Sequence, residues 1–103
     1  MSEKYILKNG LNRMPIDFFM NNNEMSLNEK KAIMAHFEKG KRIVYAFVPS
    51  VDMVTGEKIS EKNDDLYSDG VYSWNYSLPY HFEKYNIELD REFIDYVLGL
   101  VAR

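Results

Sequence analysis

Asp64, Asp65 and Asp69 crowd three carboxylates into six positions, two of them just before and one within the stretch from Leu66 to Tyr85 that holds seven of the chain's 15 aromatic residues. Neighbouring carboxylates can share acid and base roles or ligate calcium, but these lack the ordered alternation and terminal glutamate of a calcium loop. Turn chemistry accounts for them more simply. The two histidines, His36 and His81, are too far apart to form a metal motif. His36 reads as an exposed helix residue and His81 as packing beside Trp74. There is no cysteine, which removes thiolate ligands, cysteine nucleophiles and disulfides. No glycine-rich phosphate loop, nucleophile elbow or Ser/His/Asp arrangement occurs either. The residues therefore predict no catalytic group, no metal and no cofactor.

Binding is the chemistry this stretch suits better. Tyrosine and tryptophan offer large contact areas with few rotors, and they dominate interface hot spots. Alternate residues of a strand can equally build a core, so the aromatics serve either purpose. Three close carboxylates are costly to bury without cations, so Asp64, Asp65 and Asp69 are expected at the surface, joined there by Tyr72, Tyr76 and Tyr80 as the partner-binding residues.

Charge divides along the chain. Residues 1–51 carry eight Lys/Arg against five Asp/Glu, a balance of +3, whereas residues 52–103 carry five against eleven, a balance of −6. An acidic, aromatic half suits a basic protein partner and argues against nucleic acid, whose phosphates need clustered Lys/Arg. The 103 residues, 46% hydrophobic and 28% charged, fit one domain with its own core. Apolar runs such as Val44 to Val48 are too short to span a bilayer, and Met1-Ser2-Glu3-Lys4 does not open a signal segment. The expectation is a cytoplasmic protein with no membrane contact.

The elements that would position these residues follow from local signals. Met1 to Arg13 reads as a short strand or arm, and Pro15 to Met20 as a short helix or turn ended by Asn21-Asn22-Asn23. Ser26-Leu27-Asn28-Glu29 has the spacing of a capping box, so a helix is predicted over Leu27 to Lys39, with Gly40 as the left-handed residue that ends it. Ile43 to Val48 is β-branched and aromatic, which predicts a strand closed by Pro49. Val51 to Val54 continues it, Thr55-Gly56 turns, and Glu57 to Ser60 pairs back. Asp69-Gly70 marks a hairpin turn inside the Leu66 to Trp74 strand region. A short helix follows from Pro79 to Tyr85, ended by Asn86. Asp90 then precedes a last amphipathic helix over Arg91 to Val101. The fold class is α+β, a small antiparallel sheet of three or four strands packed against two main helices. Its predicted core contains Ile33, Phe37, Val44, Ala46, Leu66, Trp74, Phe82, Phe93, Val97 and Leu98.

One pattern reaches beyond local physics. Asp69-Gly70-Val71-Tyr72-Ser73-Trp74, then Leu78-Pro79-Tyr80-His81, Lys84-Tyr85-Asn86 and Leu89-Asp90-Arg91-Glu92-Phe93-Ile94, resembles the C-terminal half of small bacterial immunity proteins encoded beside polymorphic toxins. It departs from that pattern at His81, where a second aromatic is expected, and at Asp90, where a proline is expected. The resemblance implies a non-catalytic cytoplasmic protein that binds and blocks a cognate toxin. Two other classes compete with it: a small ligand-binding or enzymatic domain with a pocket near Trp74 and His81, and a homo-oligomeric structural or regulatory protein.

Overall fold

The computed structural model describes residues 4–6, 19 and 25–101. Within them the fold is α+β, with a four-stranded sheet, a separate two-stranded ribbon and three helices. The elements are β1 (Lys4–Tyr5), α1 (Leu27–Glu38), β2 (Lys41–Val44), β3 (Pro49–Val51), β4 (Lys58–Asn63), β5 (Leu66–Ser68), β6 (Tyr72–Asn75), α2 (Ser77–Tyr85) and α3 (Arg91–Val101). The expected helix over Pro15 to Met20 lies outside the described residues apart from Phe19, which is helical and buried.

Local signals placed the helices closely. Ser26 and Glu29 form the reciprocal capping box, which satisfies amide groups that the first turn of α1 leaves without helical partners. Asn86 ends α2 in the left-handed conformation at φ 55° and ψ 43°, and α3 spans the predicted residues. Two details differ. Helix α2 starts at Ser77 rather than Pro79, because the Asp64 carboxylate accepts the Ser77 amide at 2.9 Å and so acts at the helix start from 13 positions away. Gly40 is not left-handed, and α1 closes on Lys39. The reason for glycine there is space: a Cβ on Gly40 would lie 2.4 Å from Trp74 Cζ2.

The main sheet runs β1-β6-β5-β2. Strands β5 and β6 form the expected antiparallel hairpin, pairing Tyr67 with Trp74 and Ser68 with Ser73. Its turn uses Gly70 at φ 98°, a backbone region closed to most side chains. Strand β2 adds antiparallel to β5 with a bulge between Arg42 and Val44, and β1 adds parallel to β6. The segment predicted as one strand from Ile43 to Val48 is a strand only to Val44; Tyr45 to Val48 leaves the sheet, and β3 then pairs with β4 in the separate ribbon. The predicted Glu57 to Ser60 strand thus belongs to that ribbon. Asp52 to Gly56 forms its turn, with Gly56 at φ 78°.

The core is aromatic. Phe37 stacks on Phe93 with ring centres 5.6 Å apart and meets Trp74 edge-on at 5.1 Å, while Tyr72 meets Phe93 edge-on at 5.2 Å. Such geometries add to simple area burial. Ile33, Phe37, Trp74, Phe82, Phe93 and Val97 are buried as expected. Val44 is exposed on the outer strand β2, Ala46 lies past that strand's end and is half-buried, and Leu66 at the start of β5 and Leu98 on α3 are half-buried as well. Ile6, Tyr72, Leu78, Ile87, Leu89 and Ile94 take their places.

The two helical-side glycines give a paired test. Gly40→Ala should lower stability by roughly 1–3 kcal/mol, since the buried Trp74 ring cannot swing aside. Gly99→Ala, with nothing within 4 Å of the added methyl and lying inside α3, should raise it by roughly 0.5–1 kcal/mol. Urea denaturation of both variants measures the contrast, and equal effects would remove the packing explanation for Gly40.

Candidate functional site

The three aspartates do not form a cluster. Asp64 caps α2. Asp65 is 8% exposed; it accepts the Ala46 amide at 2.7 Å and an Arg42 guanidinium N–H at 3.3 Å. Asp69 accepts the amides of Val71 and Tyr72 at 2.8 and 2.7 Å and lies 2.6 Å from His36 Nε2. Burial alone would raise the Asp69 carboxyl, but the Tyr72 amide, the His36 ring and the Val71 amide hold it below its ordinary value. The expectation of three exposed carboxylates is therefore corrected, since backbone amides and two cationic or polar side chains take the place of solvent. Tyr72 is likewise buried, at 5% exposure, against Phe93 and Tyr96. Tyr76 and Tyr80 are half-buried. His36, expected at the surface, packs against Trp74, Phe93 and Tyr96 and ties the end of α1 to the hairpin turn.

The most polar buried group lies in the Val51 to Val54 segment that was expected to continue a strand, and it instead opens the ribbon's turn. Asp52, 2% exposed, accepts the Val54 and Thr55 amides through Oδ1 at 2.8 and 3.0 Å, and the hydroxyls of Tyr80 and Tyr85 through Oδ2 at 2.6 and 2.7 Å. Lys84 Nζ donates to the Tyr80 hydroxyl at 3.0 Å and stands 3.5 Å from Oδ2. Burial pushes the Asp52 carboxyl up, yet the two phenols and two amides more than reverse this and hold it well below the usual carboxylate range. His81 is fully buried beside this network. Its Nε2 accepts the Met53 amide at 2.9 Å, so Nδ1 carries the proton and donates to the Ser77 carbonyl at 2.7 Å. Burial lowers its pKa. Its ring neighbours are Phe19, Tyr80 and Tyr85; the expected packing against Trp74 is replaced by these.

Two surface features remain. A groove of about 400 Å³ opens between the end of α1, the ribbon and the start of α2. Phe37 and Trp74 form its floor, Met34, Ile59 and Pro79 its apolar sides, and Tyr67, Tyr76 and Tyr80 its aromatic wall, with Glu38 and Glu83 beside them. His81 does not line it. The second feature is an apolar run along β2 and the loop after it. Ile43, Val44, Tyr45, Phe47 and Val48 are all exposed, and Phe47 is 95% exposed. Arg42 stacks on the Tyr45 ring at 4.2 Å and hydrogen-bonds its hydroxyl, giving the run one fixed polar margin. Sequence reading took this run for a buried strand, because core and interface draw on the same apolar residues.

Among the described residues no group of three or more His, Cys, Asp or Glu is placed to hold a metal ion, and no helix is long and apolar enough to cross a membrane. Comparison of the chain with protein-family models, with curated proteins and with solved structures gives no match.

Acid should expose the buried polar groups in two stages. His81, with its lowered pKa, costs nothing above about pH 6.5; below that the unfolded chain binds a proton that the folded chain refuses, so stability falls. The depressed Asp52 and Asp69 carboxyls contribute stability that is complete above about pH 4 and is lost as pH drops through their folded values. Asp52→Asn should lower stability at pH 7 by roughly 3 kcal/mol and flatten the acid stage while leaving the His81 stage in place. Melting temperature followed from pH 8 to 2 checks both; an Asp52→Asn curve parallel to that of the original chain would discount the network.

Proposed function

We propose that this chain is a non-catalytic protein-binding module, and specifically an immunity protein that neutralises a cognate toxin. The observation that carries the binding reading is the exposed apolar run from Ile43 to Val48, with Phe47 standing almost free in solvent. Contiguous exposed apolar side chains on a small domain mark contact surfaces. Strand β2 is also an outer strand of its sheet, so a backbone edge lies beside these side chains.

The toxin-neutralising form of the reading is supported by the resemblance to immunity proteins and by the acidic second half, whose charge would speed capture of a basic toxin. The residues carrying that resemblance have structural work: Asp69 and Gly70 make the hairpin turn, and Trp74, Leu78, Leu89 and Phe93 are core. These core and turn residues mark a fold on which contact residues are set. Tyr76 and Tyr80, half-buried, stay candidates for contact; Asp65 and Tyr72 do not.

A catalytic or ligand pocket shared by Trp74 and His81 is the weaker reading. The groove includes Trp74, but both ring nitrogens of His81 are committed to backbone groups, which leaves no lone pair or proton for a substrate.

Phe47→Ser should leave the melting temperature within a degree or two of the original, since the side chain touches almost nothing, and should abolish protection in cells co-expressing the toxin encoded beside the gene. Truncating an interface anchor of this kind costs about 2 kcal/mol or more of binding, some thirtyfold in Kd. Undiminished protection by the stably folded variant rules out this surface, and the lack of any neighbouring toxin that the chain neutralises rules out the immunity reading.

A further inference from the structure

The groove beside Trp74 has a composition that a purely apolar ligand would not need. It is lined by apolar Met34, Ile59 and Pro79, by three tyrosines and by two glutamates. Aromatic faces carry negative potential and attract cations. The chain's own lysines already use them this way, with Lys62 Nζ 5.9 Å from the centre of the Tyr76 ring and Lys84 Nζ 5.4 Å from that of Tyr80. Glu38 and Glu83 are exposed, and neither side chain has an ion-pair or hydrogen-bond partner among the described residues. A cation entering between them would meet two uncommitted carboxylates and the tyrosine faces together.

We propose that this groove receives a lysine or arginine side chain of a protein partner. Such a side chain divides as the groove does: its methylene stem lies along apolar surface while its charged head keeps polar or aromatic company. The volume of about 400 Å³ suits one long side chain with part of its backbone. The inference rests on the binding reading above and names the chemistry of the partner; it adds a second contact at Ile59 of β4, next to the hollow beside Phe47 that Lys62 and Asn63 line. Lys62 would have to give up or share the Tyr76 face as the partner's cation arrives, and with Lys84 held over Tyr80 the Tyr67 face is the one neither lysine covers.

The chain has a single tryptophan, and it lines the groove, so its fluorescence gives one reporter in contact with the site. The full chain titrated with acetyl-Gly-Arg-Gly-amide or acetyl-Gly-Lys-Gly-amide should show a saturable emission change at millimolar concentration, with none for acetyl-Gly-Gln-Gly-amide at matched ionic strength. Glu38→Gln/Glu83→Gln, both substitutions being on exposed positions, should weaken binding about fivefold, the scale of two partly screened ion pairs. An equal response to the Gln peptide, the absence of any response, or full affinity in the double variant overturns the proposal. Saturation by tetramethylammonium chloride at lower concentration than either peptide overturns it too, by assigning the groove to a small free cation. A silent groove in a chain whose partner binding still depends on Phe47 removes this proposal and leaves the binding reading standing.

Discussion

The Asp52 carboxylate is the interaction on which the arrangement of the molecule turns. Among the described residues the β3–β4 ribbon shares no strand pairing with the main sheet, so the sheet's ladder does not fix where it sits. Asp52 fixes it: one oxygen organises the ribbon's own turn, and the other gathers two phenols from α2. The neighbouring Met53 amide adds a bond to His81 on the same helix. A buried carboxylate is costly unless its hydrogen bonds are nearly complete, and four short ones make this position unusually specific. A ribbon displaced by even one residue would leave the charge unpaired.

Both surface features inherit their shape from that anchor. Ile59 on β4 closes one side of the groove, and the loop from Tyr45 to Val48 spans from the main sheet to the ribbon, held by Asn63 donating to the Ala46 carbonyl and by Asp65 accepting the Ala46 amide. Phe47 can therefore project into solvent on a loop whose two ends are tied, so less conformational entropy is lost when a partner covers it.

What was legible in the sequence was what is satisfied within three or four residues. The capping box at Ser26, the Asp69-Gly70 turn, the left-handed Asn86 and the stripe of α3 each complete their hydrogen bonds or their apolar face locally. What was not legible depends on partners far along the chain. Asp52 reads as one residue of a strand continuing from Val51 to Val54, because its phenolic partners lie 28 and 33 positions away. Asp64, Asp65 and Asp69 look like a cluster because sequence spacing says nothing of direction, and each points to a different element. Gly40 was read as a helix terminator when its requirement comes from Trp74, 34 positions on. A pocket near Trp74 was among the alternatives, but the groove's other walls could not be read from sequence, since they come from α1, β4, β5 and α2 as well as β6.

The aromatic stretch shows why core and interface need not compete for the same residues. On β6, Tyr72 and Trp74 point into the packed centre, whereas Tyr76, one residue past the strand's end, and Tyr80 on α2 are left half-buried at the groove. Tyr67, opposite Trp74 across the hairpin, joins them. Core packing of one set thus holds the other set rigid: Trp74 is locked between Phe37 and Gly40, and it sets the floor against which Tyr67 and Tyr76 stand 6.3 Å apart. A binding surface built on rings that the core already immobilises loses little side-chain entropy on contact. The concentration of aromatics between Leu66 and Tyr85 then has one physical origin, a strand-turn-helix unit whose inner rings fold the domain and whose outer rings are presented by it.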